Sequence, residues 1–236
     1  MNKYLTLKND YFELLVPEEL HEYGKEILLF STDKIKEFLT FFKEEKCDLI
    51  RGAFLLNRDD FISRIKEVAG EDTNLPPEWA TGCFYGGETQ ILVDVNDPYI
   101  RFNTLIHESF HLLFSKYVYE KYDIERIVWL DEALAGNFDG TTEKLISNGK
   151  FQFMIEDLLK NNKLPKMSDL DFLKNNVITD SYNGYDLFKI VGRFLIETKS
   201  SDELFNYIID EEKVLSDGET ILNDSLIYFS KKYNLK

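Results

Sequence analysis

Cysteine is nearly absent from this chain: Cys47 and Cys83 are the only two in 236 residues. Two thiols cannot form a disulfide framework, and they lack the spacing of a metal knuckle. Free thiols in a reducing compartment are therefore expected. Basic residues are few relative to acidic ones, 28 against 43, for a net charge of −15. That excludes the basic surface phosphate binding needs, and with it nucleic acid or an anionic membrane as main partner. No stretch approaches the ~20 apolar residues required to span a bilayer. Met1 to Asp10 has no apolar run of the kind a secretory signal carries, so a cytoplasmic location is expected. No low-complexity tract, flexible linker or internal repeat breaks the chain. Rings, by contrast, are plentiful. Nineteen Phe and 13 Tyr sit in a chain that is 44% hydrophobic, enough for one sizeable core.

The apolar spacing points to an α+β class. Tyr11 to Val16 reads as a strand stopped by Pro17, and Glu18 to about Lys46 has helical spacing. Asp48 to Leu56 reads as a second strand, and Asn57 and Asp59 offer caps for a helix to about Ala69. Gly70 to Pro77 is loop. Thr81–Tyr85 and Gln90–Val95 flank Gly86-Gly87 as a hairpin. Asn96-Asp97-Pro98 is a helix-start signal, with a helix running on to about Tyr119. Beyond Asp123 the pattern is helical throughout: 127–137, 141–147, 151–161, 185–198, 201–211 and 218–233. The expectation is one catalytic unit of two lobes with a cleft between them. Residues 1–123 would form an α+β lobe and 124–236 a helical one.

The chain has only three histidines, yet two of them lie in His107-Glu108-Ser109-Phe110-His111. Residues four apart on a helix share a face, so both imidazoles can bind one metal ion while Glu108 reaches a water in an open coordination position. A structural zinc takes four protein ligands; a catalytic one takes three. The third is expected on a neighbouring helix, and the chain offers Trp129-Leu130-Asp131-Glu132-Ala133-Leu134-Ala135. There Glu132 stands in an otherwise small and apolar segment whose alanines, Ala133 and Ala135, are expected to let it pack closely against the metal helix and bring the carboxylate within bonding range. His21, in the polar start of a long helix, has no assigned role.

His107-Glu108-x-x-His111 followed by Trp129-Leu130-Asp131-Glu132-Ala133-Leu134-Ala135 resembles the gluzincin clan of zinc metallopeptidases, the thermolysin and M1 aminopeptidase group. The resemblance implies a thermolysin-like unit: a small N-terminal lobe with a mixed or antiparallel sheet carrying the His-Glu-x-x-His helix, and an all-helical C-terminal lobe. It implies one Zn2+ per chain held by His107, His111 and Glu132, with Glu108 as general base and a peptide or protein as substrate. Asp131 stands where the clan often has Asn, and Ala133 where the M1 branch has Gly. Thermolysin-like enzymes place an Asp four residues after the ligand Glu to orient a histidine. Gly136 occupies that position here, which leaves Asp139 as a candidate only if the helix ends early.

Tyr182-Asn183-Gly184-Tyr185, ahead of Phe188 and Phe194-Leu195, resembles the clan's tyrosine-led helix. Tyr182, with Tyr185 as runner-up, is thus a candidate to donate a hydrogen bond to the oxyanion. Gly86-Gly87-Glu88 faintly resembles the substrate-amine motif of M1 aminopeptidases, but a hairpin turn is the favoured reading. An edge strand, Gln90 to Val95, is expected to hold an extended peptide. The alternatives are a zinc-binding regulatory protein without turnover and a zinc hydrolase of non-peptide amides.

Overall fold

The structure is a computed structural model that describes residues 3–78, 80–160, 163–174 and 176–235. It is a mixed α+β protein built on an open five-stranded sheet. Two compact units divide it, Met1–Leu112 and Leu113–Lys236.

The first unit contains β1 (Tyr4–Lys8), β2 (Phe12–Pro17), α1 (His21–Phe42), β3 (Ile50–Leu55), α2 (Arg58–Ala69), β4 (Gly82–Tyr85) and β5 (Glu88–Leu92). The helix α3 (Thr104–Phe114) carries the histidine pair and spans the division. The sheet order is β1-β2-β3-β5-β4. Its central pairs, β2 with β3 and β3 with β5, are parallel, and the outer pairs are antiparallel. The middle strands are buried on both faces, which is why β3 reads as a nearly unbroken apolar run.

The strand β1 was not expected. Its residues are only partly buried or exposed, so it carries little apolar signal. It is created by a turn: the Asn9 side chain accepts from the Tyr11 and Phe12 amides at 2.9 and 2.8 Å, folding β1 back onto β2. In α2 the expected cap is present, with Asn57 Oδ1 accepting from the Asp60 amide at 2.9 Å.

Asp97-Pro98 opens only a 3-10 turn, Pro98–Arg101, and the α-helix begins later, at Thr104. The Asp97 side chain makes no capping bond. Phe102 is instead drawn into a ring cluster with Phe30 at 4.9 Å and Tyr99 at 5.8 Å, so the chain bends there before the helix starts.

The second unit contains α4 (Val128–Phe138), α5 (Thr141–Ser147), α6 (Lys150–Leu159), α7 (Gly184–Thr198), α8 (Ser201–Ile208), α9 (Glu211–Asp217) and α10 (Ile221–Tyr233). The helix expected over 151–161 spans Lys150–Leu159, and Asn161 lies outside the described residues. The helix expected over 201–211 is two helices. Asp210 breaks it by capping α9, its side chain accepting from the Lys213 amide at 3.1 Å. The tightest contact in this unit joins α4 to α7. Gly192 lies so close to α4 that a Cβ there would stand 2.0 Å from the Ala133 carbonyl oxygen. Among the described residues, no helix is long and apolar enough to cross a membrane.

Candidate metal centre

The burial pattern of α3 sets which way its chemistry faces. Leu105, Ile106, Ser109, Phe110, Leu113 and Phe114 are all buried, leaving His107, Glu108 and His111 half-buried on the other side. Phe110, inside the motif, holds the helix down: its ring meets Phe38 and Phe42 of α1 at 5.2 and 5.7 Å. Gly52 of β3 makes room beneath, since a Cβ there would lie 3.2 Å from Leu105. The apolar residues of the motif thus anchor it, and the polar ones are left to act.

His107 Nε2 and His111 Nε2 are 3.1 Å apart, with their rings nearly perpendicular at 85°. Two nitrogens at a Zn–N distance of about 2.05 Å and that separation subtend about 98°, close to a tetrahedral angle. His107, His111 and Glu132 each offer one ligand atom, and these atoms lie within 4.8 Å of one another. Two imidazoles and one carboxylate are the donor set of a three-ligand zinc site.

Glu132 and Asp131, at the start of α4, do not decorate a solvent face. They are 7% and 2% exposed. Arg126, which sequence reasoning passed over, meets both of them. Its Nε donates to Asp131 Oδ2 at 2.8 Å, and its Nη2 lies 3.8 Å from Glu132 Oε1. A lone basic residue just ahead of two acids in an apolar stretch was the available signal. The alanines were expected to face the metal helix; the close approach seen at Ala133 is to Gly192 of α7.

Glu108 lies against β4. A Cβ on Gly82 would stand 2.6 Å from Thr104 Cγ2 and 3.4 Å from Glu108 Oε1, so the glycine leaves room for the carboxylate. The next residue, Cys83, has its thiol pushed up to about 12, first by burial and then by the negative charge of Glu108. It is neither a nucleophile nor a thiolate ligand near neutral pH.

One expectation about the sheet is corrected. The strand expected to offer a free edge, Gln90–Val95, does not: β5 is interior, bonded to β3 on one side and β4 on the other. The edge strand beside Glu108 is β4. The favoured hairpin reading of Gly86-Gly87-Glu88 fits the structure, with both glycines at positive φ. Glu88 is buried and bound by Arg64, which donates from Nε at 2.8 Å and Nη2 at 2.5 Å. Its carboxylate staples α2 to β5.

The Tyr182 hydroxyl donates to the Asn176 carbonyl at 2.8 Å, which commits its single proton within its own loop. Tyr185 lies in the first turn of α7, half-buried, its ring 5.9 Å from Phe188. Asp139 is buried just past the end of α4 at Phe138, and its carboxylate accepts from the Thr141 amide at 2.7 Å, at the entry to α5. No family model matches the chain, and no match is found among curated proteins.

Proposed function

We propose that this chain is a zinc-dependent metallopeptidase of thermolysin-like design. The observation that carries the reading is the convergence of one ligand atom each from His107, His111 and Glu132, with Glu108 on the same helix as the histidines. The donor set fits zinc, and three protein ligands leave a coordination position for water or substrate. Zinc bound there supplies Lewis acidity that polarises a carbonyl oxygen and acidifies a water. Glu108 takes a proton from the attacking water and passes it to the leaving amine as the peptide bond breaks. The outer edge of β4 offers backbone groups to an extended peptide, and Gly82 on that strand lies beside Glu108, which supports this reading. The Tyr182 hydroxyl proton is engaged by the Asn176 carbonyl, which weighs against Tyr182 as the oxyanion donor.

Metal analysis of protein purified without chelators tests this directly. About one zinc per chain is expected, lost from His107→Ala and from Glu132→Ala. Absence of zinc from the wild type, or its full retention in both variants, would overturn the reading. Cleavage of a peptide library should accompany the bound metal and disappear on chelation.

A further inference from the structure

Near its start α4 carries two consecutive buried carboxylates, Asp131 and Glu132, and one guanidinium faces both. Two acids buried side by side repel one another and lose hydration, an arrangement that persists only with a cation in good geometry. Arg126 supplies it from outside the helix, reaching forward along the chain. Its backbone is pinned next door: the Tyr119 hydroxyl donates to the Ile127 carbonyl and accepts from the Ile127 amide, both at 3.3 Å. The Ile127 carbonyl also accepts from the Leu130 and Asp131 amides at 3.1 Å, closing the first turn. A fixed backbone, a 2.8 Å bond through Nε and a planar fork leave the Nη2 group little freedom beside Glu132 Oε1.

We infer that Arg126 is a positioning residue for the metal ligand Glu132, with Asp131 holding the guanidinium in place. This rests on the zinc reading above and deepens it. Arg126 attracts Oε1 of Glu132 and so restrains the rotation of the carboxylate. Asp131 sets the plane of the guanidinium and is not itself a ligand. Lysine carries the charge but not the fork, and so replaces arginine only in part.

The test compares Arg126→Lys, Arg126→Met, Asp131→Asn and the double variant Arg126→Met/Asp131→Asn, each stripped of metal. Zinc affinity is read by competition with a chromophoric chelator, and the metal-free fold by circular dichroism and thermal melting. Loss of a group that orients a metal ligand weakens metal binding about 10- to 100-fold. Arg126→Met should fall at the upper end of that range and Arg126→Lys at the lower. The double variant should bind no more weakly than Arg126→Met, because Asp131 acts through Arg126. Variants that bind zinc as tightly as wild type, whatever their melting temperature, would overturn the Arg126 assignment alone. So would losses that multiply in the double variant. A wild type without zinc would overturn this inference together with the function on which it rests.

Discussion

Gly192→Ala, on α7, should destabilise the protein, whereas Gly136→Ala, on the helix it packs against, should stabilise it. At Gly192 the added methyl would stand 2.0 Å from the Ala133 carbonyl oxygen, 2.7 Å from its carbon and 2.4 Å from Asn137 Nδ2. Two of these atoms are backbone, so relief requires the two helices to move apart. Overpacking of this kind costs about 1–3 kcal/mol. The same methyl drives out the Asn137 amide, which donates to the Ala133 carbonyl at 2.8 Å and the Lys189 carbonyl at 3.1 Å. Those bonds are worth about 0.5–1.5 kcal/mol each. Replacing a mid-helix glycine by alanine returns about 1 kcal/mol. The net is a loss of about 3 kcal/mol, and for a chain of this length a fall in Tm of roughly 6–12 °C. At Gly136 the nearest atom to a new Cβ is Lys189 Cγ at 3.5 Å, an ordinary contact. Only the propensity gain of about 1 kcal/mol remains there, and Tm should rise by about 2–4 °C. Thermal melts of both variants followed by circular dichroism read the pair together. If Gly192→Ala melts with the wild type, or both shift the same way, the close approach of α4 and α7 is not what fixes this unit.

Four further outcomes are expected. Glu108→Gln should keep its zinc and lose about 10²–10⁴-fold in peptide turnover, the usual worth of a general base; equal turnover by the two proteins would remove Glu108 from that role. Cys83, with its thiol near 12, should alkylate about a thousandfold more slowly at pH 8 than a free cysteine, and Glu108→Gln should speed it by removing a neighbouring negative charge. A thiol held protonated in the fold costs nothing below its ordinary value near 9, where both states keep the proton. Above that only the unfolded chain ionises, so this group lowers stability as pH climbs from about 9 towards 12, a trend Cys83→Ser should lack. Asn57→Ala removes the side-chain oxygen that accepts from the Asp60 amide and should cost about 1 kcal/mol in denaturant unfolding, with Asn57→Ser recovering most of it.

Much of the candidate site was legible in the sequence because its geometry is local. His107 and His111 share a face by helical spacing alone, and the apolar residues between and around them decide which face is buried. The helices of the second unit were legible for the same reason, since their periodicity is long and repeated. Strand β1 was not, because it has little buried surface and its place depends on the Asn9 turn. The split between α8 and α9 turned on one aspartate whose side chain caps a helix rather than facing water. The burial of Asp131 was not legible either, because an acid next to a candidate ligand carboxylate looks like a surface residue until a partner is in place.

What the sequence determined by itself is therefore the set of chemical groups and their spacing along the chain: two imidazoles on one helical face, a glutamate beside them, and a carboxylate in an apolar helix. Tertiary structure decided which groups keep them company. Only strand order could make β5 interior and β4 the edge, because pairing is set by segments far apart in the chain. Likewise, only packing could bring Gly82 under Glu108, Gly192 against Ala133 and Arg126 across two buried acids. Spacing along the chain fixes direction on a helix; distance between elements is fixed by what each must bury.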